Sequence, residues 1–326
     1  MLDSWLDWAL DDHPPTQTSG SLSGGTYQLL APGVMALTPA HIAPAAHACI
    51  FSAAIHGNET APVEILGAWL AELESGHRTL NAPVLVILGN LPALKQQTRF
   101  VSTNLNRLFD RQMQAEGAEP DRARELMAIV DAFYARHSAL PKLHYDLHTA
   151  IRESRYPRFV VEPFAATPTE DAQWQWLAGA GMQAVLHQHR PSATFSRYSK
   201  HYHGAQAFTF ELGRVAAFGQ NDLAPLAPMQ RLLGELSEGK RPTAGDASAL
   251  AFFRVECELM RESDDFRFFF ADDVANFTRF EPGAPIAYDA STGETLVGET
   301  PWHVVFPNAR VERGARAALL AVEVDR

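Results

Sequence analysis

Along the first three quarters of the chain, short unbroken apolar runs alternate with helical stripes. Residues 2–10, with Leu2, Trp5, Leu6, Trp8, Ala9 and Leu10, fit an amphipathic helix stopped by Pro14 and Pro15. Residues 16–25 are rich in Ser, Gly and Thr and read as a loop, and residues 27–37 as paired strands turning at Pro32-Gly33. The run over 45–55 is a buried-strand pattern ending in His56-Gly57-Asn58-Glu59. Pro62 then opens a helix with the stripe Val63, Ile65, Leu66, Trp69, Leu70 and Leu73. A strand over 83–89 leads into Asn90-Leu91-Pro92 and a polar loop over 99–107, and a helix over 122–138 into a strand over 142–147. Further strands are expected at 159–162, 184–186 and 208–212, with a helix at 169–179. This order predicts an α/β fold, a mixed, mostly parallel sheet flanked by helices, whose ligands gather at the carboxyl ends of strands.

The pattern changes near residue 244. Residues 252–262 alternate apolar with polar, 266–270 are aromatic, and Gly283, Gly293, Gly298 and Pro301 punctuate short strands up to Val324. We therefore expect an α/β domain over 1–243 and a small C-terminal β-rich domain over 244–326, joined through Gly239-Lys240-Arg241-Pro242-Thr243. The β-rich tail is placed to shape a pocket entrance or to meet a second copy in a homo-oligomer.

Composition narrows the function. With 46% hydrophobic and 20% charged residues the chain suits a packed core rather than disorder, and a net charge of −11 argues against nucleic acid as a partner. Cys49 and Cys257, the only cysteines, stand too far apart in apolar or strand-like stretches to form a disulfide framework or a cysteine zinc cluster, which fits a reducing cytoplasm. No apolar run approaches a membrane span, and the first residues lack the charge layout of a secretory signal. The reading is a cytoplasmic protein with no membrane partner.

The candidate chemistry sits at the predicted strand ends. His56 and Glu59 can converge from one turn, and a catalytic zinc takes three nitrogen or oxygen ligands while leaving one position for water. A second histidine is needed, and His148 supplies it. Period-2 alternation puts His144, Asp146 and His148 on one strand face with His148 nearest the carboxyl end, and Asp146 placed to orient a ligand. Glu211, near the end of an aromatic strand, reads as a salt-bridge partner on its own and as a general base beside a metal-activated water. Arg99 and Arg107 offer guanidinium edges for carboxylates or an oxyanion, and Arg152, Arg155 and Arg158 follow close behind His148. The pairs His187-x-His189 and His201-x-His203 have strand spacing and are a competing metal site, but their Ser-, Thr- and Arg-rich segment looks more like a mobile loop over the pocket, with Arg197 and Lys200 placed to close over substrate.

These residues resemble the succinylglutamate desuccinylase and aspartoacylase family of zinc hydrolases, related in fold to the zinc carboxypeptidases. His56-x-x-Glu59, Asn106-Arg107, Asp146-Leu147-His148 and the Glu211 strand occur in the family order. His148-Thr149-Ala150-Ile151-Arg152, Thr194-Phe195-Ser196 and Glu211-Leu212-Gly213 look most like its bacterial desuccinylase branch. The resemblance implies one zinc ion held by His56, Glu59 and His148, with Glu211 activating water. It also implies that Arg99 polarises the amide carbonyl and that Asn106 and Arg107 hold a substrate carboxylate; Arg152 is our addition as a further anchor. The implied reaction cleaves a small anionic N-acyl amino acid, N-succinyl-L-glutamate, to succinate and L-glutamate at the end of a bacterial arginine degradation route. A deacylase for another N-acyl amino acid such as N-acetylaspartate, or a non-catalytic dicarboxylate-binding protein, remains open at this point. Asn104 departs from the aspartoacylase branch, which has an acidic residue before Leu-Asn-Arg; this bears on a local contact, not on the metal site.

Overall fold

The computed structural model describes Trp5, residues 8–10 and residues 15–325. Trp5 and residues 8–10 are helical, with Trp5 and Ala9 in the core; Leu2, Leu6 and Pro14 of that expected helix lie outside the described residues. The first part of the chain supplies β1 (Ser19–Leu22), β2 (Gly25–Ala31), β3 (Val34–Pro39), β4 (Ala48–Ala53), α1 (Ala61–Glu74), β5 (Val84–Leu88), α2 (Leu91–Gln96) and α3 (Ala118–Arg136). It continues with β6 (Lys142–Ala150), β7 (Arg158–Glu162), α4 (Asp171–Gly179), β8 (Ala184–His187), α5 (Phe195–His203), β9 (Gln206–Arg214) and α6 (Ala227–Ser237).

These strands join one sheet in the order β1-β2-β3-β5-β4-β6-β9-β7-β8. Its centre, β5-β4-β6-β9, is parallel, and β9 meets β7 antiparallel. Alternation decides what each face covers. Cys49, Phe51, Leu143, Tyr145 and Leu147 pack under α1, α4 and α6, whereas Ile50, Leu85 and Ile87 pack under α3 and α5. Strands buried on both faces are apolar almost throughout, which is why β4 and β5 read as unbroken runs.

The tail supplies β10 (Ala251–Met260), β11 (Arg267–Phe268), β12 (Thr278–Phe280), β13 (Pro285–Asp289), β14 (Gly293–Leu296), β15 (Trp302–Val305) and β16 (Arg316–Val324). It is β-rich, as expected, and largely antiparallel, but it does not stand apart from the α/β portion. β10 runs parallel along β8, from Ala251 opposite Ala184 to Arg254 opposite His187, and β16, β15 and β12 continue the same sheet. β11, β13 and β14 form a separate three-stranded sheet.

Two expectations need correction. The loop expected over 16–25 contains β1, which pairs with β2 through the tight reversal at residues 23–24. The mobile loop expected near residue 200 is the helix α5, with Phe195, Ser196, Arg197, Tyr198, Ser199 and Lys200 all buried. Lys200 does not close over a pocket. Its ammonium donates to Glu162 at 2.9 Å and to Thr169 at 2.6 Å inside the protein. The helix also removes the strand spacing of His201 and His203. Among the described residues no helix is long and apolar enough to cross a membrane.

Candidate metal centre

Three neighbouring parallel strands end at one place. β4 delivers the chain to Ala54, which adopts a positive φ of 52°, and the following turn presents His56 and Glu59. β6 ends with His148, and β9 places Glu211 directly opposite His148 in register. Gly57 makes the turn possible, because a Cβ there would lie 2.0 Å from the carbonyl carbon of Ala93 in α2.

His56, Glu59 and His148 are all buried, and their ligand-type atoms lie within 4.8 Å of one another. The Nδ1 atoms of the two histidines face each other at 3.2 Å, and each lies 2.9 Å from one oxygen of Glu59. Two nitrogens bound at ordinary zinc distances to one tetrahedral ion would be about 3.3 Å apart, so the spacing of the two imidazoles suits a shared metal ion. Among the described residues no other group of three such side chains converges. His187 hydrogen-bonds Glu162, and His203 lies 2.7 Å from Asp131, so one histidine of each competing pair is engaged elsewhere.

The electrostatics suit a cation. Burial, against the pull of Glu59, holds His56 down at about 4, so its ring is neutral with a lone pair to offer. Burial would raise Glu59, but the two imidazoles outweigh it and hold the carboxyl well below its ordinary range. His148 is desolvated yet flanked by Asp146 and Glu59, which together lift it well above the usual imidazole value. Positive charge at its Nδ1 is what these surroundings favour, and a metal ion answers that demand as a proton would.

The outward-facing ring nitrogens are also engaged. His148 Nε2 donates to Asp146 at 3.0 Å, as the strand alternation led us to expect. His56 Nε2 donates to the side-chain oxygen of Asn104 at 3.1 Å, an oxygen that also accepts the Asn106 amide at 3.0 Å. Asn104 therefore positions a candidate ligand, a part that the sequence reading did not give it. The backbone N–H of Thr149 and Nη1 of Arg99 donate to Glu59 at 3.1 and 2.9 Å.

Glu211 differs from these paired groups. It is buried, and its Oε2 has no hydrogen-bond partner. Burial, with the negative charge of Glu59 adding and His148 and Arg99 opposing, pushes its carboxyl up to about 8. A carboxyl of this kind beside a cation site can exchange protons near neutral pH.

The remaining predicted residues are spread around this centre. Asn106 is buried, and its side-chain oxygen accepts the Phe195 amide at 2.9 Å. Arg107 is exposed, donates to the Asn106 carbonyl at 2.7 Å and makes no ion pair with any described residue. Arg152 has no hydrogen bond or ion pair to the other site residues and lines a small depression with Glu153 and Arg214. One neighbour of Arg107 was not singled out in the sequence. Arg316, at the start of β16 in the tail, lies near enough to Arg107 for the two charges to act on each other, and it sits 3.8 Å from Glu258. Arg190 also donates to Glu258, at 3.0 Å. Nothing in the local pattern distinguishes Arg316 from any other strand-end arginine.

The machinery at the ends of β4, β6 and β9 is that of a hydrolase acting on an amide. Residues 45–235 match the succinylglutamate desuccinylase/aspartoacylase catalytic domain, and residues 248–324 match the AstE/AspA barrel-sandwich hybrid domain. The chain belongs to the succinylglutamate desuccinylase/aspartoacylase family. It is 40% identical to a succinylglutamate desuccinylase of Pseudomonas paraeruginosa, with 97% of each chain covered. It is 38% identical to one of Burkholderia orbicola, over 100% of this chain and 96% of that one. The crystal structure of the desuccinylase from Vibrio parahaemolyticus superposes with a TM-score of 0.91 at 35% identity, covering 99% of this chain and 95% of that one.

Proposed function

We propose that this chain hydrolyses N-succinyl-L-glutamate to succinate and L-glutamate, with zinc held by His56, Glu59 and His148. The chemistry is carried by the unpartnered, buried Glu211 carboxyl one strand over from His148; the substrate rests on the relatives' names and on the arginines around the site. A zinc ion in this donor set would lower the pKa of a water toward about 7 and polarise the amide carbonyl. Glu211 takes a proton from the water as its oxygen bonds to the amide carbon. The same carboxyl returns the proton to the amine nitrogen as the C–N bond breaks. Arg99, tethered to Glu59, faces the developing oxyanion with its guanidinium, while Asn106 and Arg107 hold a carboxylate and Arg152 serves as an outer anchor. N-succinylglutamate carries three carboxylates at neutral pH, so a mouth furnished with Arg99, Arg107 and Arg316 suits it. A pure dicarboxylate-binding protein would gain nothing from a carboxyl at Glu211, which repels an anionic ligand once ionised.

In this reading the catalytic unit covers 1–243 and the β-rich unit 244–326, and the two free cysteines accord with a reducing cytoplasm. The test is succinate release from N-succinylglutamate by purified protein, run beside N-acetylaspartate and repeated after chelation and zinc restoration. Zinc-restored hydrolysis favouring the succinyl substrate is expected. Hydrolysis of the acetyl substrate alone would move the substrate assignment, and zinc-loaded protein inert toward both would overturn it.

A further inference from the structure

Behind the metal centre, on the sheet face covered by α5, a line of buried polar side chains leads away from His148. Ser52 on β4 lies opposite Asp146 on β6, and His144 is two residues before Asp146 on the same face. Ser199 reaches the face from α5. Ser52 Oγ donates to Asp146 Oδ1 at 2.6 Å, His144 Nε2 lies 2.8 Å from Ser52 Oγ, and His144 Nδ1 lies 2.7 Å from Ser199 Oγ. Ser52, His144, Asp146 and Ser199 are fully buried. The proposed reaction uses none of Ser52, His144 and Ser199.

Counting hydrogens fixes the direction of the line. An ionised Asp146 has only lone pairs, so the single Ser52 hydrogen is committed to it. Ser52 must then accept from His144, which places that ring's hydrogen on Nε2 and leaves Nδ1 to accept from Ser199. The opposite tautomer would leave lone pair against lone pair in a dry interior, at a cost that buried networks avoid. Phe195, also from α5, stands edge-on to the His144 ring with centroids 4.6 Å apart and so restricts its plane. Every hydrogen bond thus points toward Asp146, which is left to accept from His148 Nε2. That in turn leaves His148 Nδ1 bare and facing His56 and Glu59.

We propose that Ser52, His144 and Ser199 form a positioning relay that, through Asp146, fixes the ring orientation and tautomer of His148 as a metal ligand. The inference rests on the reading of His56, Glu59 and His148 as the zinc site. Its test measures zinc affinity by chelator competition, together with the absorption spectrum of the cobalt-substituted protein, for the wild type, Ser52→Ala and Ser52→Thr. Loss of such outer contacts weakens metal binding by roughly 10- to 100-fold. Ser52→Ala is expected at the lower end of that range with an altered cobalt spectrum, and Ser52→Thr, which keeps the hydroxyl, should recover most of the loss. Wild-type protein that takes up no zinc would sink the metal reading and the relay with it. A wild type that binds while Ser52→Ala keeps the same affinity and spectrum would overturn the relay alone. Should Ser52→Ala fail to fold, nitrogen-15 NMR of histidine-labelled wild-type holoenzyme decides: neutral His144 protonated on Nε2 supports the relay, and an Nδ1–H tautomer or an imidazolium overturns it.

Discussion

Glu211 and Glu59 are two buried carboxyls with opposite fates, and their surroundings account for the difference. Glu59 is enclosed by imidazoles, a backbone amide and Arg99, and stays ionised. Glu211 has an oxygen with no partner and holds its proton up to about 8. Only the ionised form can take a proton from water, so kcat/KM should fall as pH drops through the Glu211 value, and a cation at the triad draws that midpoint downward. Glu211→Gln should lower kcat by about 10²–10⁴-fold and abolish this acid limb while zinc content stays at the wild-type level. Zinc analysis beside the pH–rate profile separates the two effects. His56, Glu59, His148 and Glu211 were legible as candidates because each stands at a predicted strand end and belongs to a residue type with few structural uses there. The role of Asn104 was not legible, since its contact to His56 spans 48 positions and depends on where the loop folds back.

At the level of elements, legibility followed the strength of the local pattern. β4, β5 and β6 carried unbroken or alternating apolar runs and were placed within a few residues. β1 was missed because Ser-Gly-Ser-Leu has little strand preference of its own and is held by its pairing with β2. α5 was missed for a related reason. Its sequence, Phe-Ser-Arg-Tyr-Ser-Lys-His-Tyr-His, lacks an aliphatic stripe, and its buried face is anchored by ring contacts and hydrogen bonds instead. One anchor can be tested directly. Burial would raise Glu162, but the His187 hydrogen bond and the Lys200 charge outweigh it and hold the carboxyl at about 2. A lowered carboxyl stabilises the fold above its unfolded value near 4.5 and loses that contribution as pH falls toward 2. Glu162→Gln should cost about 3–5 kcal/mol at neutral pH by stranding the buried Lys200 ammonium. It should also flatten the stability profile across that acid window, as followed by urea unfolding. Gly57→Ala bears on a different junction: its Cβ would enter the backbone of α2, so about 1–3 kcal/mol of stability should be lost together with much of the zinc affinity. Thermal melts of apo and zinc-loaded protein would read both losses.

For the molecule as a whole, the tail brings a charge close to Arg107. Arg316 reaches the neighbourhood of Arg107 from the last strand, some two hundred positions along the chain. Arg316→Ala should raise KM for N-succinylglutamate by about tenfold, as expected for one lost hydrogen bond to a charged group, with zinc content unchanged. Added salt should narrow the gap between variant and wild type. Steady-state kinetics at two ionic strengths would show it. The sequence divided the chain correctly in texture, α/β first and β-rich afterwards, yet gave no sign that the two textures share a sheet, because strand pairing between distant segments leaves no local signature. That shared sheet has a practical consequence for anyone trimming the protein. A fragment ending at residue 243 would lose β10 and, while the other edge of β8 stays paired with β7, bare its outer edge, an open template for copies of itself. Size-exclusion chromatography with light scattering should find such a fragment sticking to itself rather than behaving as a minimal enzyme.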